Sequence, residues 1–528
     1  MFKNLLHLVK QSRSAIARKI LPEILFYSSR INLFPNEFVR SSHTFLQFLK
    51  RSNLSPVNTQ GSPVGIIVSP WLCTAVPWYS ITIAIGLAKK GKHIILIWDD
   101  SLFPEPSVDL RIQNLCIGYV LDYISQFLSV IRLSLEQSAP DREEDQQHLY
   151  KLADLNLIWY SRAESLTSTD LNQRSAYQHK LSQVLPLTRK LLSRIKFEYL
   201  LVPGGIYGSS SLFMYTAKEK DIRVATYDGG AGCLFCCSEG IAAHQSDIPI
   251  AFTKLWHSST ETKQKAIGIA KQEFHDRTEG KDYFCTQVIG TQQQITTAFS
   301  TDVLIPLNLE WDSAALGKHY LFENTIEWLL ETINFILANS NKTVVVRQHP
   351  AERFPFCQSL LDLESILHQH FGHHGRFHFI NARQEINTYN LLESSSLVLP
   401  FVSTVGLEAA AMNKNVLISG YSYYKDLGFV WAANSRQEYF DILLNALNSL
   451  LPNLPDQQDR AWLCYYLTQI CNLTFTRYNP ELKDFWYWGN QEPRELFEDT
   501  VVTDLLTAID TDTPFSWIRH CRNINSNI

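Results

Sequence analysis

From Val64 onward, short apolar runs alternate with longer amphipathic stretches, and this alternation constrains the fold more than any other feature. Val64–Val68, His93–Trp98, Leu155–Tyr160, Tyr199–Val202 and Arg223–Tyr227 have strand length. Tyr79–Lys90, Leu110–Leu135 and Arg174–Ile195 have helical length and spacing, and Gln137–Gln147 is a polar interruption. Such alternation predicts βαβ units, in which helices cover a parallel sheet. A second series begins near residue 300. Its strands are Asp302–Pro306, Thr343–Arg347, Phe377–Ile380, Leu397–Leu399 and Asn415–Ile418. Its helices are Phe322–Ala338, Pro355–His370, Gln384–Glu393, Val405–Met412 and Arg436–Leu450. The expected fold class is α/β, with two facing Rossmann-type domains and a deep interdomain cleft. Ligands in open α/β sheets bind at the carboxyl ends of the strands, so the loops there hold the candidate sites.

The flanks differ from this body. Residues 1–61 carry nine Lys/Arg and two Glu, a balance of +7, while the rest of the chain stands at −12. Residues 2–28 have helical spacing, with Phe2, Leu5, Val9, Ile16 and Ile20 near one face and Arg13 intruding on it. This helix either lies on a membrane surface or packs on the body. Ser52–Pro63 is a linker by composition. After Pro452 the chain is helical and rich in Trp and Tyr, with Asp459–Cys471 its strongest helix. The expected division is a basic helical arm (1–61), two Rossmann-like domains (62–299 and 300–451) and a helical extension (452–528).

Composition excludes several classes. No apolar run approaches the roughly 18 residues of a membrane span, and no secretory leader pattern opens the chain. Ten cysteines without paired spacing fit a reducing compartment. An acidic body argues against nucleic acid as a partner, whereas the basic arm suits anionic lipid.

Three strand ends carry candidate chemistry. Arg347-Gln348-His349-Pro350 closes one strand, and extended backbone before Pro350 would place Arg347 and His349 on one face, ready for phosphate. Ser403-Thr404-Val405-Gly406-Leu407-Glu408 opens a helix. Its N-cap and free amides suit a phosphate, and Glu408 is within reach of a ribose hydroxyl pair. Tyr227-Asp228-Gly229-Gly230-Ala231-Gly232 closes a strand of the first domain, where the glycines permit a sharp turn and leave Asp228 as a general base. Asn308, Glu310 and Asp312 follow the first strand of the second domain and could line the cleft. The loop Pro203–Gly208 is not a GxGxxG motif. Cys233, Cys236, Cys237 and His244 lack the second ligand pair of a zinc site.

The set Tyr227-Asp228-Gly229, His349-Pro350 and Ser403-Thr404 resembles the acidic-Gly, His-Pro and Ser-Thr motifs of bacterial CMP-sugar transferases. The Arg-x-His-Pro and Ser-Thr-x-Gly-x-Glu-Ala pattern, followed by Gly420 and Tyr424, is most similar to capsule polysaccharide biosynthesis proteins, which include Kdo transferases. The likeness covers about residues 200–420. It implies a GT-B-like glycosyltransferase with an N-terminal acceptor domain and a C-terminal nucleotide-sugar domain. His349, Ser403 and Thr404 would then contact the donor phosphate, and Asp228 would activate the acceptor. The chain departs from the pattern at Tyr227, where a second acid is usual, and this leaves Glu310 or Asp312 as substitute bases.

The function expected is sugar transfer from a nucleotide-activated, perhaps CMP-linked, donor to a glycan or lipid-linked acceptor. No metal and no cofactor besides the donor is expected. The enzyme would be cytoplasmic and peripheral at the inner face of the plasma membrane, touching it through residues 1–30. Two rivals stand beside it. A polyol-phosphate transferase of wall or capsule synthesis would leave phosphate in the polymer. A non-catalytic scaffold of a capsule assembly complex would accommodate Tyr227.

Overall fold

The structure, a computed structural model, describes residues 22–28, 36–55, 59–71, 74–101, 107–135, 145–164, 168–230, 233–279, 281, 300–355, 357–475 and 487–525. Its first six strands are β1 (Val64–Val68), β2 (Ile94–Trp98), β3 (Ser129–Arg132), β4 (Tyr199–Pro203), β5 (Arg223–Gly230) and β6 (Cys233–Cys237). The next six are β7 (Val303–Pro306), β8 (Val344–Arg347), β9 (Phe377–Ile380), β10 (Leu397–Val398), β11 (Asn415–Ile418) and β12 (Trp431–Ala432). A last strand, β13 (Thr474–Phe475), returns to the first sheet.

The chain forms two compact units that interleave in sequence. The first comprises Met1–Asn156, Asn172–Ala242 and Leu473–Ile518; the second comprises Leu157–Leu171, Ala243–Asn472 and Arg519–Ile528. The main boundary thus falls at Ala242, ahead of the expected division near residue 300. The helices Ile248–Trp256 and Thr260–Thr278 belong to the second unit.

In the first unit the sheet order is β13-β6-β5-β4-β1-β2-β3, parallel from β5 to β3 and antiparallel at β6 and β13. Every residue of β1, β2 and β4 is buried, as befits strands covered on both faces. Val64, Ile66 and Val68 share a core with Trp78, Ile81 and Ile85, while Ile67 packs on the other face with Leu191, Leu200 and Val202.

Two elements differ from expectation. Leu155–Tyr160 lies in the helix Asp145–Ser161, because Leu149, Leu152, Ala153 and Leu157 are buried at helical spacing. The long helix expected at Leu110–Leu135 stops at Ile124, and β3 follows as a short edge strand with Ser129 exposed.

The expected basic arm is, over its second half, part of the body. Asn36 caps the helix Glu37–Arg51, whose Phe38, Val39, Phe45, Phe48 and Leu49 enter the core that contains β1. Arg51 donates to the carbonyls of Trp488, Gly489 and Gln491. Residues 1–21, which carry most of the amphipathic pattern, lie outside the described residues.

The second sheet runs β12-β11-β10-β7-β8-β9, all parallel. Three of its helices begin later than their apolar patterns suggested. Asp362 caps Leu363–Phe371 and Asn387 caps Thr388–Ser394, each through its side chain. The two Rossmann-like sheets expected from the alternation are therefore both present.

Candidate functional site

Counted along the chain, the second sheet has strand order 3-2-1-4-5-6, so the winding reverses between adjacent β7 and β10. Open α/β sheets bind ligands in the crevice beyond the strand ends at such a reversal. The loops after these two strands are joined there. The Asn308 carboxamide oxygen accepts from the Val402 amide at 3.3 Å.

Beyond β10, Ser403 takes an extended conformation (φ −64°, ψ 145°) and its Oγ accepts from the Val405 amide at 3.3 Å, starting the helix Thr404–Ala411. The Ser403 hydroxyl is thus the N-cap and partly exposed Thr404 opens the helix; the Val405 amide is taken by that hydroxyl and the Gly406 amide by the Ser403 carbonyl at 3.0 Å. The neighbours lock this turn. Tyr424 donates to the Ser403 carbonyl at 2.6 Å, and a Cβ on Gly406 would lie 2.6 Å from that same tyrosine oxygen. Gly420 is needed for a like reason, since its Cβ would meet the Phe401 ring at 2.6 Å.

Beyond β8, His349 is extended (φ −61°, ψ 125°) and its Nδ1 accepts from the Ala351 amide at 3.2 Å. That bond requires the tautomer with hydrogen on Nε2. Burial, with neighbouring Arg347 adding to it, pushes the imidazole down to about 4, so it is a neutral donor at physiological pH.

Arg347 departs from the expectation that it would present its fork beside His349. Its side chain is buried and donates to the carbonyls of Asn381 (2.6 Å), Ile386 (3.1 Å) and Gln384 (3.4 Å), fastening the connection after β9. Burial lowers it to about 10, and it remains a cation at neutral pH.

Glu408 departs too. It lies one turn inside its helix on the face turned away from solvent, 3.5 Å from Arg277 Nη1. Arg277, on the helix Thr260–Thr278, also reaches Glu273 (3.3 Å) and Gln469 (3.2 Å), and the Tyr465 hydroxyl donates to Glu273. Burial raises Glu408 to about 7 against the pull of Arg277. The carboxylate expected at a ribose sits instead in a buried ionic network.

Glu310 is 4% exposed, and its Oε1 has no hydrogen-bond partner among the described residues. Burial, and then the like charges of Glu164 and Glu352, raise it to about 9. Asp312 is also raised by burial, although the Ser313 hydroxyl donates to it at 3.2 Å. Glu310 thus favours its protonated form, which suits hydrogen-bond donation better than proton abstraction, and Asp312 is shifted in the same direction.

Asp228 belongs to the first unit. It is a strand residue of β5 opposite Phe235 of β6, and the strand continues through Gly230 in place of the sharp turn expected directly after it. Asp228 is half-buried and accepts from the Gly229 amide at 2.8 Å. Successive strand residues face opposite ways. Tyr227 accordingly points into the core, where its hydroxyl meets Ser80 Oγ at 2.7 Å and donates to the Val76 carbonyl at 2.9 Å.

Two residues that pattern alone did not mark stand near the strand ends. Glu164 accepts from His319 Nε2 and from the Thr325 amide, both at 2.7 Å, and so ties down the first amide of the helix Thr325–Asn339, whose N-cap is Asn324. Lys318 lies in the irregular connection between β7 and that helix, a stretch without periodicity and hence without a signal in sequence. Among the described residues no three of His, Cys, Asp and Glu converge as metal ligands.

Known proteins can be set against this geometry. Residues 257–440 match the capsule polysaccharide biosynthesis protein family. The matched segment, about a third of the chain, contains the whole second sheet, His349-Pro350 and Ser403-Thr404, and bears out the resemblance seen in sequence. Asp228 lies outside it. No curated protein matches the chain. A solved structure with some likeness is KpsC, a beta Kdo 2,7 transferase of Thermosulfurimonas dismutans (13% identity, TM-score 0.32, covering 57% of this chain and 88% of that one). Another is MurG of Acinetobacter baumannii (7% identity, TM-score 0.27, covering 78% and 95%). A UDP-N-acetylglucosamine 2-epimerase from Listeria monocytogenes shows 11% identity and a TM-score of 0.24, covering 77% and 91%.

Proposed function

We propose that this chain is a glycosyltransferase of capsule or surface polysaccharide synthesis, using a nucleotide-activated sugar that is CMP-linked. One observation carries the reading. The capsule-family match falls on the unit in which His349 and the Thr404–Ala411 helix follow β8 and β10, the two parallel strands that flank β7.

In this reading the donor phosphate lies at the start of that helix, beside Thr404, and accepts from His349 Nε2. As the bond from the sugar anomeric carbon to the phosphate oxygen breaks, charge grows on the phosphate. Fixed N–H donors aimed at that charge lower the barrier without reorganising. Arg347 supports the arrangement from behind by fastening the loop after β9. Glu310, held neutral by burial, serves as a donor. Asp228 takes the proton of the acceptor hydroxyl as the new glycosidic bond forms, and the nucleoside monophosphate departs. The acceptor is a glycan or a lipid-linked sugar.

A location at the cytoplasmic face of the membrane belongs to the same proposal, supported by the +7 balance of residues 1–61. Among the described residues no helix is long and apolar enough to cross a membrane.

The test is direct. The purified chain is titrated with CMP, CDP, UDP and GDP, and then assayed with CMP-sugars and a capsule oligosaccharide. Preferential CMP binding and release of CMP with sugar incorporated into the product support the reading. Absence of binding to all four nucleotides overturns it.

A further inference from the structure

The first unit has a strand-end crevice of its own. Along the chain its parallel strands are ordered 5-4-1-2-3, so the winding reverses between adjacent β1 and β4. Open α/β sheets take ligands beyond the strand ends at such a reversal.

Ser69 follows β1, Asp99 follows β2 and Gly204 follows β4. The registers Val68↔Trp98 and Ile66↔Leu201 set Ser69 level with Asp99 on one side and with Gly204 on the other. Side chains alternate along a strand. Ser69 therefore faces the same way as Ile67, and Asp99 the same way as Ile97, toward the core that also holds Leu212 and Phe213 of the helix Ser210–Lys218. Asp99 follows this rule, since it accepts from the Ser209 hydroxyl where that helix begins. Ser69 is aimed at the same helix start. It is 6% exposed, and its Oγ has no hydrogen-bond partner among the described residues.

The helix start is itself unsatisfied. Ser209 is the N-cap residue, yet its hydroxyl goes to Asp99 and caps no amide. Its carbonyl takes the Leu212 and Phe213 amides at 3.0 and 3.1 Å. The amides of Ser210 and Ser211 have no acceptor among the described residues, although both residues are buried. Asp99, 1% exposed, accepts from the Ser209 hydroxyl and from the amide and hydroxyl of Ser101. Three donors leave one of a carboxylate's roughly four lone-pair positions open. Buried polar groups left unpaired cost free energy.

A ligand that satisfies these groups must both accept and donate. An oxyanion could accept from the amides and from Ser69, but the Asp99 carboxylate repels it. A metal ion would face the positive end of the helix. A hydroxyl does both. Beside these groups stands Trp71, whose amide is held by Gln113 Oε1 at 2.9 Å. Its half-buried ring lies against Gly204, where a Cβ would come within 3.0 Å of it, and meets the Tyr207 ring at 5.9 Å. An aromatic surface next to a few fixed polar groups suits a ring with hydroxyls on its rim and C–H bonds on its faces.

We propose that the crevice between β1 and β4 binds a saccharide ring, with Ser69, Asp99 and the Ser210 and Ser211 amides on its hydroxyls and Trp71 against its face. The proposal rests on the transferase reading for which saccharide this is, the acceptor, but not for the chemistry of the crevice.

The experiment titrates a capsule oligosaccharide, the acceptor of the transfer assay, into wild type, Ser69→Ala and Trp71→Leu, with binding read by saturation-transfer NMR. Because the Ser69 hydroxyl has no partner in the free protein, Ser69→Ala should melt at or above the wild-type temperature. It should still bind the oligosaccharide about fivefold or more weakly, with CMP affinity unchanged. Trp71→Leu should bind it about threefold or more weakly. Because a variant can misfold, inorganic phosphate is also added to wild type as a competitor and should leave oligosaccharide binding unchanged. Unchanged oligosaccharide affinity in either folded variant, no binding to wild type, or displacement by phosphate overturns the inference. The transferase reading fails separately. If the oligosaccharide binds wild type and not Ser69→Ala while no nucleotide binds, the saccharide position stands without that reading. If Ser69→Ala transfers sugar with an unchanged acceptor KM, the reading stands and the position falls.

Discussion

Arg277 and Glu408 meet at 3.5 Å with both side chains buried, joining the helix Thr260–Thr278 to the helix that Ser403 caps. Removing Glu408 takes a carboxylate from the buried Arg277, which keeps Glu273 at 3.3 Å. Glu408→Ala should therefore cost about 1–3 kcal/mol of stability, measured by denaturant unfolding. Glu408→Gln, which can still accept a hydrogen bond, should cost less. A Glu408→Ala protein with wild-type stability and a raised donor KM would return Glu408 to a role at the ribose.

Glu310 predicts a dependence of stability on pH. A carboxyl raised by burial keeps its proton in the fold where the unfolded chain has released it. The folded state binds more protons from about pH 4.5 to about 9, and this residue's contribution to stability falls as pH rises through that window. Glu310→Gln removes the effect. The variant should match wild type near pH 4 and exceed it by about 1–3 kcal/mol at pH 8. Parallel pH–stability curves for the two proteins would contradict the assignment.

His349 acts as a neutral donor in the proposed reaction. His349→Ala should lower kcat about 100- to 1,000-fold, the range for losing one donor to a developing negative charge, with the melting temperature little changed. Because the ring stays neutral down to about pH 4, the rate should show no inflection near 6.5. An inflection there that vanishes in the variant would assign it a titrating role instead.

Tyr227 has a place in the core that explains its departure from the acidic motif. Tyr227→Phe leaves Ser80 Oγ and the Val76 carbonyl without their partner and should cost about 1–2 kcal/mol. Tyr227→Asp, which restores an acid, should destabilise more and gain no activity. A gain in turnover would show that the tyrosine had disabled a two-carboxylate site.

Arg347 predicts a stability effect rather than a purely kinetic one. Arg347→Met abandons the carbonyls of Asn381, Gln384 and Ile386 and should lower stability by about 2–4 kcal/mol. Arg347→Lys, lacking the fork, should recover only part. Full stability with a large rise in donor KM would make Arg347 a ligand.

Much of this architecture could be seen in the apolar runs. β1, β2, β4 and β7 through β11 each coincide with such a run, since a doubly covered strand has no polar face to disguise it. Leu155–Tyr160 misled because a short continuous apolar run does not by itself distinguish a strand from a buried helical segment. β6 was visible only as a cysteine cluster, and β12 and β13 span two residues each, their pairing set by neighbours distant in sequence. For the candidate site, His349 and Ser403 follow β8 and β10, as the apolar runs placed them. Local spacing could not show which way Arg347 points, because its acceptors lie in the connection after a neighbouring strand. Nor could it show that Glu408 answers Arg277 on another helix.

The interleaving of the two units has a consequence for synthesis. β6 pairs on its outer side with β13, through Leu234 and Thr474, and the segment bearing β13 is made only after nearly the whole second unit has been translated. At ribosomal rates of roughly 5–20 residues per second, the outer edge of β6 waits on the order of tens of seconds for its partner. An unpaired strand edge is a template for wrong pairing. Newborn chains of this protein should therefore depend on chaperones during that interval, and stalled or shortened translation products should aggregate through the β6 edge.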